Sequence, residues 1–386
     1  MKKIVKLFSF IVMTALLATS CITVEEGDNV SGNNSNTSTI DPNDFQGNIF
    51  TNVSLQANTI YKLTGPLTIQ EDASLTIPAG TRIEATGGTS AYIVVAQGGK
   101  IYVNGTSTDP VVMTSANGSP APGDWGGLVI CGKAPINSAT SASAEVSGLT
   151  YGGTNPNDNS GTIRYLRIEY SGAIYNANKE FNALSLFGVG SGTIIEYVQF
   201  YRSSDDGVEF FGGTVNTSYI VSTYNEDDQF DWTEGWSGTN NYWYGKLGNN
   251  IGNRGIEADN LEANFDATPI ANPTINNMTL IGLGNQGSEP DAIKLRRGTK
   301  SIMSNVVLDN FLTGLNIEHD QTIAFIPTDL KVTNVTFSNI TNLSKGKNTA
   351  GATVDVTNAY TETTTATGAG NGTGVPTWAQ GWTTGL

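Results

Sequence analysis

Acidic side chains crowd one short part of this 386-residue chain: Asp205, Asp206, Glu226, Asp227, Asp228 and Asp231, with Glu209 and Glu257 on either side. Carboxylates this dense repel one another unless a cation or a base sits among them. An all-oxygen donor set suits calcium, which takes roughly six to eight oxygen ligands. Asp205, Asp206, Asp227, Asp228 and Asp231 are therefore candidate calcium ligands, although no fixed ligand spacing such as an EF-hand loop is present. Asp-Asp and Asp-Gly steps are also ordinary turn residues, and that plain reading stands beside the metal one. For catalysis the candidates are Asp231, Glu257 and Lys294: paired carboxylates can divide acid and base roles, and a lysine can serve as base.

Aromatic residues lie next to these acids, in Trp232-Thr-Glu-Gly-Trp236 and Tyr242-Trp-Tyr244. Trp232 falls on an inward position. Trp236, Tyr242 and Trp243 stand in Gly/Asn-rich sequence and are candidates for a platform on which a sugar ring stacks. Covering the flank of the fold is the alternative role for them. His319 is the only histidine, which excludes multi-histidine metal sites. No serine sits in a nucleophile-elbow context.

The elements that position these residues repeat. The triplets Leu184-Ser-Leu186, Val208-Glu-Phe210, Phe230-Asp-Trp232, Ile256-Glu-Ala258, Ile293-Lys-Leu295 and Leu315-Asn-Ile317 follow at steps of 24, 22, 26, 37 and 22 residues. Alternation of period two argues strand, and a recurrence every twenty-odd residues argues a solenoid of stacked rungs. In this register Glu209, Asp231, Glu257, Lys294 and Asn316 point outward. A second strand per rung begins at Tyr165, Tyr197, Tyr219, Asn277, Asn305 and Asn334, stacking Leu166, Val198, Ile220, Met278, Val306 and Val335 inside. The late asparagines suit an amide ladder at a turn. Loops interrupt the repeat at residues 115–160, 259–274 and 282–291.

The segments Leu75-Thr-Ile-Pro-Ala-Gly-Thr-Arg-Ile83 and Gly99-Lys-Ile-Tyr-Val-Asn-Gly105 resemble the opening rungs of right-handed parallel β-helix proteins, the pectate-lyase-like superfold. The resemblance implies an all-β solenoid of roughly ten to twelve rungs, expected over residues 49–345, with residues 346–386 as a C-terminal cap in which Trp378 and Trp382 pack down. It implies a scaffold and no particular activity. Ser204-Asp-Asp-Gly207 is similar to the paired-aspartate element of glycosidases on this superfold, yet their Gly-His-Gly and Arg-x-Lys are absent, as is the arginine-proline motif of pectate lyases.

The start of the chain reads as a secretory leader: Lys2, Lys3 and Lys6, an apolar run over residues 7–17, then Ala18-Thr-Ser-Cys21. Those last residues resemble the lipobox of bacterial lipoproteins, which implies a signal peptide over 1–20 and lipidation of Cys21. Residues 21–48 are polar and read as a flexible tether. Only Cys131 would remain after Cys21 is modified, a buried core thiol with no disulfide partner. The formal net charge is −15, and −18 without the three leader lysines. An acidic chain offers no footprint for nucleic acid.

Together these features predict a lipid-anchored cell-envelope β-helix, an outer-membrane lipoprotein exposed at the surface. It would bind extracellular polysaccharide or another surface ligand along one acidic, aromatic flank. The alternative is a polysaccharide lyase or glycoside hydrolase of the same superfold, and the third reading is a structural or adhesive surface protein.

Overall fold

Apolar residues that alternate with polar ones form short strands here, and the computed structural model stacks them into a right-handed parallel β-helix. It describes residues 40–177, 179–248, 252–287 and 289–386. The leader, Cys21 and most of the expected tether lie outside the described residues. Among the described residues no helix is long and apolar enough to cross a membrane.

One face of the solenoid is a ladder of eleven parallel strands among the described residues. It runs from Phe45–Ile49 through Ile60–Ile69, Ile93–Val95, Leu128–Cys131, Leu184–Phe187, Val208–Phe211, Phe230–Thr233, Ile256–Ala258, Asp291–Leu295 and Thr313–Glu318 to Asn342–Lys347. The expected triplet register is present residue for residue: Leu184, Val208, Phe230, Ile256, Ile293 and Leu315 pair in succession. All six are buried. The first strand starts four residues before the expected start of the solenoid, because Phe45 and Ile49 already point inward. The last paired strand, Tyr360–Glu362, extends the solenoid beyond residue 345.

The remaining two faces are separate strands in the early rungs and a single bent strand later. The strand Gly161–Glu169 pairs its first half with Lys100–Asn104 and its second half with Val111–Ser115. The bend falls on Tyr165, in the left-handed region at φ 49°. The same corner recurs at Tyr197, Tyr219, Tyr242, Asn277, Asn305 and Asn334, with φ between 54° and 62°. Asparagine tolerates that conformation; tyrosine does so less readily. The tyrosines compensate by stacking, with ring centroids 4.5 Å, 4.4 Å and 4.9 Å apart along Tyr165, Tyr197, Tyr219 and Tyr242. The amide ladder is present where Asn305 Nδ2 donates to Asn277 Oδ1 at 2.7 Å.

Two segments cover the flanks of the solenoid. Residues 132–153 fold over the outer flank of the early rungs. A second apolar cluster forms beneath them, holding Cys131, Phe187, Phe211, Ile136 and Tyr151. Of the expected cap, residues 346–362 join the last rung, with Val356 and Ala359 in the main core, and Trp382 packs down as expected. Residues 363–386 turn back and run along its side, because the side chains that receive them (Thr336, Asn305, Thr279 and Gln199) lie on progressively earlier rungs.

Candidate functional site

Asp205, Asp206, Glu226, Asp227 and Asp228 sit on turns that follow a second left-handed corner, Arg202 at φ 57° and Tyr224 at φ 63°. That corner aims residues 203–206 and 225–228 toward the flank carrying the triplets. Within each turn the two neighbouring aspartates do different work. Asp206 and Asp228 are buried, at 5% and 2% exposure, and form a rail between rungs. Asp206 Oδ1 accepts the Asp228 N–H at 2.9 Å, and Asp228 Oδ1 accepts the Arg254 N–H at 2.6 Å. Asp205 and Asp227 are half-buried and line an open cleft of roughly 510 Å³ with Glu145, Lys179, Glu180, Ser204 and Glu226.

The carboxylates separate into two groups, each with its ligand atoms within 4.8 Å of one another: Asp205, Asp206 and Asp227, and then Asp228, Asp231 and Glu257. Electrostatics distinguishes them. The second group has built-in counter-charges. Buried Arg254 pairs with Asp228 and Glu257, and Arg296 pairs with Glu257 and with Asp259 at 2.8 Å. The first group has none: among the described residues no lysine or arginine pairs with Asp205, Asp206 or Asp227. Lys179, the one base lining the cleft, is paired with Glu145. Burial, then Asp227, Glu180 and Glu145, push the Asp205 carboxyl up to about 8. Burial, then Asp205 and Asp231, hold Asp206 well above the usual carboxylate range.

Asp231, Glu257 and Lys294 follow one another in register on three consecutive rungs, as expected. Their environments restrict what they can do. Lys294 is only 8% exposed and donates to Glu289 at 3.1 Å. Glu289 is brought down to about 2 against its own burial, by hydrogen bonds from Arg254 and Lys294. Glu257 is held between Arg254 and Arg296. Asp231 differs: burial, then Glu209 and Glu257, raise its carboxyl well above the ordinary range and favour its neutral, proton-donating form. His319 stands apart from both groups and accepts the Arg297 backbone N–H on Nδ1 at 3.0 Å.

The aromatic platform is not where the sequence suggested. Trp236 and Trp243 are fully buried. Trp243 occupies the inward row between Ile220 and Met278, stacks on Phe230 at 4.3 Å and donates to Thr217 Oγ1 at 2.8 Å. Trp236 stacks on Phe210 at 3.8 Å and donates to the Val215 carbonyl at 3.1 Å. Both indoles have their N–H satisfied inside, so neither is available to a sugar. Tyr242 belongs to the tyrosine corner, packed beside Trp378. Asn316, expected to be exposed, is buried and donates to Asp291 Oδ2 at 2.7 Å. Arg254, Glu289, Glu145 and Glu180 escaped the sequence reading: Arg254 stands beside Glu257 but outside the repeated triplets, and the three glutamates come from segments that also lie outside them.

A family model described as pectate-lyase like beta helix domain matches residues 47–383. No curated protein and no solved structure matches the chain. The chain belongs to that β-helix family.

Proposed function

We propose that this member of the pectate-lyase-like β-helix family is a calcium-dependent binder of extracellular polysaccharide. It would be held at the cell envelope by a lipid on Cys21 and would present its acidic cleft outward. The observation that carries the reading is the convergence of Asp205, Asp206 and Asp227 beside an open cleft with no paired cation among the described residues. Their oxygens fit a hard, oxygen-seeking ion such as calcium. Bound there, calcium would offer its open coordination positions to sugar hydroxyl or carboxylate oxygens, while Glu180, Glu226 and Ser204 at the rim fix orientation. Asp228 and Asp231, also candidate ligands by sequence, fit an ion poorly because Arg254 already balances their group.

Asp231 favours a second reading, a glycoside hydrolase or lyase of the same superfold, because a carboxyl kept neutral can donate a proton. Against it, Glu257 and Lys294 are both tied up in ion pairs. A polysaccharide array, scored for retention and for released product with calcium and with chelator, separates the two. A binder retains glycan only with calcium and releases nothing. Product formation that is lost in Asp231→Asn would replace the binder with the enzyme.

A further inference from the structure

Where the flank ladder ends, a lysine and an asparagine share one buried carboxylate. The strand Asn342–Lys347 is the last of that ladder, and among the described residues its only parallel partner is Thr313–Glu318. A rung with one neighbour opens more readily than one held on both sides. The sequence offers no disulfide to hold it, because its two cysteines are Cys21 and Cys131.

Asp291 is 1% exposed, and its two oxygens divide between the last two rungs. Oδ2 accepts from Asn316 Nδ2 at 2.7 Å, and Oδ1 accepts from Lys345 Nζ at 2.8 Å. Asn316 and Lys345 stand opposite one another in register, on strands about 4.8 Å apart. Their side chains therefore leave the sheet on the same face. Asn316 is buried, and its Oδ1 has no hydrogen-bond partner. Its neighbour on the other side is Lys294, but that lysine is committed to Glu289 at 3.1 Å. Lys345 is the amine that shares an acid with the amide. It is half-exposed, which gives a small leaving group a way out.

An amine, a carboxamide and a carboxyl in hydrogen-bond contact are the three parts of a transamidation. The geometry points to an intramolecular isopeptide bond between Lys345 Nζ and Asn316 Cγ, with Asp291 as the proton carrier. A proton passes from the Lys345 ammonium to Asp291, and the freed lone pair of Nζ attacks Cγ. A half-turn of the amide about its last torsion brings Oδ1 onto the new Asp291 O–H, which stabilises the charge building on that oxygen. The Cγ–Nδ2 bond breaks, Nδ2 gains a proton lost by Nζ, and ammonia leaves. The proton held by Asp291 departs with it as ammonium. One amide replaces another, nothing is oxidised or reduced, and the last rung is bonded to the rung before it.

The test incubates the folded full chain, digests it with trypsin and reads the peptides by mass spectrometry. One branched peptide is expected, holding residues 316 and 345 and lighter by one ammonia than its two parts together. Lys345→Arg keeps a cation beside Asp291 but removes the amine, so the branched peptide should vanish with circular dichroism unchanged. Asn316→Ala should abolish it too. Asp291→Asn should slow its formation by about a hundredfold, and an unchanged rate there would overturn the proton-carrier role. Separate linear peptides carrying residues 316 and 345 in the wild type, or a branched peptide that survives in Lys345→Arg, would overturn the bond itself.

Discussion

Asp205 and Asp227 differ from their sequence neighbours Asp206 and Asp228 in one respect: where the side chain points. Each of the inner pair accepts a backbone N–H from the next rung, and the outer pair faces the cleft. Because the Asp205 carboxyl lies at about 8 in the fold against about 3.8 in an open chain, its protonated form is the one the fold prefers. Stability from this group is therefore fully present below about pH 4 and is lost as pH rises through about 8. Without divalent ions the melting temperature should fall across that interval. Calcium should reverse the fall at pH 8 and do little at pH 4 by mass action on the folded state. A melting temperature that is flat from pH 4 to 8 without divalent ions would remove the electrostatic basis of the site. Among core residues, Phe230→Ala and Trp243→Ala should each cost about 3–5 kcal/mol in urea unfolding. For Asn316→Ala the expected loss is about 1–3 kcal/mol, since it leaves buried Asp291 Oδ2 without its donor and Lys345 as the carboxylate's remaining side-chain partner.

At the scale of the element, the corner is the device that lets one strand serve two faces of the solenoid. Its left-handed backbone costs roughly 1–2 kcal/mol for a non-glycine residue, and a β-branched side chain suffers more there than asparagine does. Tyr197→Val should therefore destabilise by about 1–2 kcal/mol more than Tyr197→Asn in urea titration; equal losses would show that ring stacking alone decides the position. The flank ladder was legible in the sequence because inward apolar residues alternate with polar ones from Leu184 to Ile317. The strand holding Trp243 was not, since three aromatics in a row, Tyr242 to Tyr244, between Asn240-Asn241 and Gly245 show no alternation of apolar and polar residues. Its spacing held the clue: Tyr242 follows Tyr219 by 23 residues, one rung on, which sets Trp243 over Ile220. The counter-charges were out of reach for a different reason. Arg254 meets Glu289 across the longest step in the repeat, and no local pattern encodes which distant charges face each other.

For the whole molecule, a lipid on Cys21 and an acidic cleft on the solenoid would make a tethered receptor for sugar polymers. Cys21→Ala should move the protein from the membrane fraction to the soluble fraction, and unchanged retention would remove the anchor from the account. The composition is acidic, at a net charge of −15. It could not show that the C-terminal segment lies along the side, because a Thr/Gly/Ala-rich tail carries no sign of where its two tryptophans dock. The central claim is calcium at Asp205, Asp206 and Asp227, and calorimetric titration of calcium into the intact chain at pH 8 tests it most directly. The account predicts a single saturable site, abolished in Asp227→Asn and retained in Asp231→Asn. No binding heat in the wild type, or a site lost in Asp231→Asn and kept in Asp227→Asn, would contradict it.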